Sequence, residues 1–204
     1  MPRMLLHSLS RFLPRQGLGP LVLALLLFAG LCLQGTGHAA TAAAPREGVL
    51  LVAFGTSMPE GMAAFKTVDA EFKKAFPDAP VVWAYTSQII RKKLAEQGQP
   101  VGGISDGLAR LAADGVKLVR VQSLHVLAGE EFSALERAVL LDVHKHPGRF
   151  DAVFLGRPLL ESKADAQELA QVILADVKNV RGKNTALVLM GHGQGHGRAD
   201  LAFE

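Results

Sequence analysis

From Gly48 onward the chain alternates short, continuous apolar runs with stretches whose apolar residues recur at helical spacing. GVLLVAFGT (48–56) is apolar from Val49 to Phe54 and breaks at Gly55, as expected of a strand buried on both faces. A helix is predicted from about Pro59, a residue suited to a first turn, with Phe65, Val68, Phe72 and Phe76 on one face and Pro77 and Pro80 ending it. VVWAYT (81–86) reads as a second strand, 87–96 as a short helix, and Ile104, Leu108 and Leu111 line another. KLVRVQSLHV (117–126) predicts a third strand, 131–143 a helix, DAVFLG (151–156) a fourth strand, 164–177 a further helix and TALVLM (185–190) a fifth strand.

Strand, helix and strand repeated at this spacing need crossover connections. The fold class is therefore α/β, a parallel β-sheet flanked by helices on both faces. Ligands of such sheets bind at the carboxyl ends of the strands, where each glycine- or histidine-rich loop of this chain falls. One internal echo is present: VLLVAFGTSMPE and ALVLMGHGQGHG both run from an apolar strand into a glycine-containing tip.

The first residues follow a different pattern. Arg3, Arg11 and Arg15 precede an apolar stretch from Leu18 to Leu33, and Gly37-His38-Ala39 offers small residues for cleavage, so 1–39 is expected to be a cleaved signal peptide of a periplasmic protein, followed by a linker over 40–47. Gly19, Pro20 and Gly30 interrupt the apolar stretch, which disfavours a membrane anchor. Without those three arginines the 22 basic residues become 19, equal to the 19 acidic ones, which removes the electrostatic basis for binding nucleic acid. Cys32, the only cysteine, leaves with the leader, so any metal must be held by His, Asp or Glu.

Five histidines remain: His125, His144, His146, His192 and His196. His144 and His146 sit in HKHP at a polar helix end, where capping accounts for them. His125 follows the third strand, and Glu130 and Glu131 open the next helix, where acids commonly do no more than complement the dipole. His125, Glu131 and His192 nevertheless share one edge of the sheet. His192 stands between Gly191 and Gly193, an open loop that is either a tight left-handed turn or a ligand site. A phosphate cradle of backbone N–H groups would gain nothing from this histidine. Imidazole and carboxylate without thiolate suit Co, Ni, Fe or Zn better than Mg or Ca.

GVLLVAFGTS, AYTSQIIRKKL, VRVQSLHVLAGEEF, LGRPLLES and LVLMGHGQGH together resemble, in order from Gly48 to His196, the anaerobic cobalt chelatases of the CbiK type. These belong to the class II chelatase superfamily, which includes ferrochelatases. The resemblance implies a lyase that inserts Co2+ into sirohydrochlorin, a tetrapyrrole of cobalamin biosynthesis, with Fe2+ or Ni2+ as alternative metals. It places a metal-binding and catalytic histidine on His192 and a carboxylate of the same role on Glu131, and implies a further histidine from a second, similar half. On that reading 48–184 is the first half and 185–204 the truncated start of the second, and the 204-residue chain alone is expected to be inactive.

A metallation catalyst must hold its ion loosely enough to surrender it, for which two imidazoles and a carboxylate suffice. Two pyrrole N–H protons must also leave, to Glu131 or an imidazole. Thr56, Ser57, Thr86, Ser87, Arg91 and His125, at strand ends or helix starts, are candidates to bind the macrocycle's peripheral carboxylates, with capping as the competing role for the hydroxyls. Two further readings stay open: a periplasmic protein that binds metal or haem without catalysis, and a nucleotide-dependent enzyme. A homo-oligomer is compatible with either the chelatase or the binder.

Overall fold

The structure, a computed structural model, describes residues 44–179, 182 and 184–190. In chain order its elements are β1 (Glu47–Ala53), α1 (Pro59–Ala75), β2 (Val81–Tyr85), α2 (Gln88–Glu96), α3 (Ile104–Ala113), β3 (Leu118–Ser123), α4 (Glu130–Lys145), β4 (Ala152–Leu155) and α5 (Lys163–Asp176). The four strands form one parallel sheet in the order β2-β1-β3-β4.

β1 is apolar on both faces because both are covered. Val49 and Leu51 pack with Phe72 of α1 on one side. Leu50 and Val52 join Leu108 and Leu111 of α3 and Leu135 and Val139 of α4 on the other. α3 lies close against the sheet through Gly107, where an added Cβ would stand 2.5 Å from Leu50 Cδ1. The helices begin where the sequence supplies caps: Pro59 occupies the first turn of α1, Ser87 Oγ accepts from Ile90 N–H, and Ser162 and Asp165 form a reciprocal capping box on α5.

Three expectations are corrected. β1 begins at Glu47, one residue early, with Arg120 of β3 bonded to the Glu47 carboxylate. β3 ends at Ser123 and does not reach 126, because Ser123 Oγ accepts from His125 N–H at 3.2 Å and turns the chain off the ladder. Residues 185–190 form no strand: Val188 is 82% and Met190 96% exposed. An apolar run signals a need for burial, but a parallel strand also needs a hydrogen-bonding neighbour, and none of the described residues pairs with this segment. Residues 1–39, His192 and His196 lie outside the described residues.

Candidate functional site

The strand order places a crevice at one edge. From β1 the chain moves outward to β2, then returns past β1 to lay β3 on its other side, so the connections leaving β1 and β3 diverge at their carboxyl ends. The tips there are pinned by backbone bonds: Thr86 N–H to Ala53 O at 2.9 Å, Ser87 N–H to Phe54 O at 3.2 Å and Leu124 N–H to Val52 O at 2.8 Å. Gly55 makes the turn out of β1 at φ +101°, and a Cβ there would stand 2.7 Å from the Tyr85 ring, so both conformation and space require glycine.

The hydroxyls expected at this edge divide into two groups. Thr56 Oγ1 accepts from Met58 N–H at 3.0 Å and Ser87 Oγ from Ile90 N–H at 3.4 Å, so both serve local turns and caps. Ser57 is half-buried on the same tip as Thr56. Thr86 differs: its Oγ1 is buried and has no hydrogen-bond partner among the described residues. The same holds for Arg91 Nε and His125 Nε2. Thr86 follows β2, Arg91 lies in the first turn of α2 and His125 follows β3, so these unpaired atoms all belong to the carboxyl edge. An unsatisfied buried polar atom costs about 1–3 kcal/mol, so three of them belonging to one edge of the sheet are candidates for ligand contacts.

Arg91 is held in place by a neighbour without a side chain. A Cβ on Gly103 would lie 2.9 Å from Arg91 Nη1, so the guanidinium occupies the space that glycine leaves at the start of α3. The Asp106 carboxylate accepts from Gly103 N–H at 2.7 Å in that same first turn.

His125 Nδ1 is 3.0 Å from Ser123 Oγ. Burial pushes its pKa below 6.5, partly offset by the negative charge of Glu131, which is exposed in the first turn of α4. The native ring therefore binds a proton less tightly than the unfolded one. Between its depressed native value and 6.5 the unfolded chain holds more protons, so this contribution to stability is complete above 6.5 and is lost as pH falls below it. Urea titrations from pH 7.5 to 5 should show a steeper loss of stability in the wild type than in His125→Gln; equal slopes would contradict the burial of this ring.

Sequence periodicity missed another part of this edge. Phe54 is 50%, Met58 59%, Ile89 80% and Val126 53% exposed, and each lies in a strand tip or at the start of the following helix. Apolar side chains in connecting segments, where polar residues are usual, are the signal that would have found them. All four belong to the same carboxyl edge as Thr86, Arg91 and His125. His144 and His146 lie at the opposite end of α4, where His146 Nδ1–H donates to Asp142 O at 2.9 Å, as expected of a helix cap.

Among the described residues no three of His, Cys, Asp and Glu gather to hold a metal. Glu131 lies near enough to His125 for its charge to act on the ring, and His192 lies outside the described residues. The sequence profile of the cobalt chelatase (CbiK) family matches residues 47–202. The chain belongs to the cobalt chelatase family. Its relatives include the sirohydrochlorin cobaltochelatase CbiKC of Nitratidesulfovibrio vulgaris strain Hildenborough, 32% identical over 159 residues covering 78% of this chain and 55% of that protein. The sirohydrochlorin cobaltochelatase of Salmonella typhimurium strain LT2 is 31% identical over 153 residues, covering 74% and 56%. The chain thus spans about half the length of the curated relatives it matches. The chelatase profile begins at Glu47, where β1 begins, and no helix among the described residues is long and apolar enough to cross a membrane.

Proposed function

We propose that this chelatase inserts Co2+ into sirohydrochlorin at the carboxyl edge of the sheet. The observation that carries this reading is that three unpaired buried polar atoms, on Thr86, Arg91 and His125, all belong to the carboxyl edge of the sheet of a cobalt chelatase domain. The names of the two relatives supply the substrate pair.

Insertion exchanges Co2+ for two pyrrole N–H protons, so the site must present the metal, hold the macrocycle flat and accept protons. Glu131 and His192 present the metal. Phe54, Met58, Ile89 and Val126 lie under the apolar face of the ring, while Arg91 and Thr86 pair with its peripheral carboxylates. The Glu131 carboxylate, exposed at the start of α4, is placed to take protons and pass them to water. Fe2+ and Ni2+ accept the same ligand types, so the metal used is set by supply as much as by the site.

Arg91→Ala should raise KM for sirohydrochlorin about 10-fold or more, the scale of a lost charge-assisted hydrogen bond, with a smaller change in kcat. An unchanged KM in steady-state insertion assays would remove Arg91 from the substrate contacts. The export signal over 1–39 supports a periplasmic location. N-terminal sequencing of the protein from a periplasmic fraction should read from about Ala40; intact Met1 in the cytoplasm would contradict it.

A further inference from the structure

β3 carries a residue that its own pattern does not predict. Val119 and Val121 point into the core beneath α3 and α4, and the next residue on that face is Ser123, only 3% exposed and paired in register with Val52. A hydroxyl at a position of apolar burial needs both an acceptor and a donor to satisfy it. The donor is His125 N–H, at 3.2 Å from Ser123 Oγ. The hydroxyl's own proton remains, and the neighbour in reach is His125 Nδ1, at 3.0 Å.

One arrangement pairs both the hydroxyl proton and Nδ1. If Ser123 O–H donates to Nδ1, that nitrogen is the bare one and the ring proton of the neutral imidazole sits on Nε2. In the other tautomer Nδ1–H would donate to Oγ, which already accepts the backbone N–H, and the buried hydroxyl proton would be left without an acceptor. We infer that Ser123 holds His125 as the Nε2–H tautomer, so that the ring offers the carboxyl edge a fixed hydrogen-bond donor and not a metal-ligating lone pair.

Nε2 is buried and unpaired among the described residues, as an N–H awaiting a ligand acceptor would be. Burial of the ring disfavours its charged form. Three groups able to donate, the Thr86 hydroxyl, Arg91 Nε–H and His125 Nε2–H, then belong to one edge, a set that suits carboxylate oxygens. His125 is thereby a contact to the tetrapyrrole's acidic periphery, Ser123 is its positioning residue, and the metal is left to Glu131 and His192. Only the identity of the acceptor rests on the chelatase reading.

The test is nitrogen NMR of the 204-residue chain labelled with 15N-histidine, with the His125 signals assigned by their loss in His125→Gln. Long-range proton–nitrogen correlations at pH 7.5 should show Nε2 protonated and Nδ1 bare, and Zn2+ should leave that pattern intact. Ser123→Ala should give a mixture of tautomers and raise KM for sirohydrochlorin several-fold in the complete protein, and Ser123→Thr, which keeps the hydroxyl, should restore both. A wild-type ring protonated on Nδ1, a Zn2+-induced loss of the Nε2 proton, or a Ser123→Ala spectrum identical to wild type would overturn the inference. An Nε2–H ring in a protein that does not insert cobalt would remove the chelatase reading and leave this one standing. An Nδ1–H ring in a protein that does insert cobalt would do the reverse.

Discussion

His192→Ala should abolish cobalt insertion. On the proposed site His192 is a metal ligand, so its removal would take away both the position of the ion and an acceptor for a pyrrole proton. Glu131→Gln, which keeps shape and removes charge, should lower kcat by on the order of 10²-fold, the usual contribution of a positioned acid or base, and leave KM for the tetrapyrrole within a few-fold. Glu131 is exposed, so its substitution should not unfold the helix it begins. Wild-type insertion rates in either variant would move the metal site elsewhere.

The second large effect separates the scaffold from the surface it carries. Leu50 is fully buried between β1 and the α3–α4 layer, and Leu50→Ala should cost about 2–5 kcal/mol of stability through lost transfer energy and the cavity left behind. Phe54, four residues further along the same chain, is half exposed, so Phe54→Ala should change stability by only about 0.5 kcal/mol while weakening binding of sirohydrochlorin. Paired urea and tetrapyrrole titrations check both. A destabilised Phe54→Ala protein with normal affinity would mean that this ring belongs to the core and not to the platform.

The contrast between Leu50 and Phe54 also shows what the sequence made legible. Continuous apolar runs and helical spacing were enough to place β1 through β4 and α1 through α5 within a few residues, because both faces of a parallel sheet must be covered and the pattern records that demand. The end of β3 was misplaced because a serine hydroxyl, not a change in hydrophobicity, turns the chain at Ser123. Residues 185–190 carry the apolar signal of a strand but have no neighbour to pair with among the described residues, and hydropathy does not register that difference.

At the site, residue type and position brought His125, Thr86 and Arg91 to one edge, but the reading could not separate them from Thr56 and Ser87. The difference lies in which hydroxyls have a backbone N–H to serve. The exposure of Phe54, Met58, Ile89 and Val126 is not legible in periodicity, which assigns apolar residues to cores. Only the structure shows these four facing water.

The most direct test is anaerobic incubation of the protein with sirohydrochlorin and Co2+, following the absorbance change that accompanies insertion. Insertion well above the protein-free rate, lost in His192→Ala and slowed in Glu131→Gln, is the predicted result. A protein that binds sirohydrochlorin and Co2+ yet leaves the rate at that of the uncatalysed reaction would contradict the proposal that this edge of the sheet is a chelatase active site.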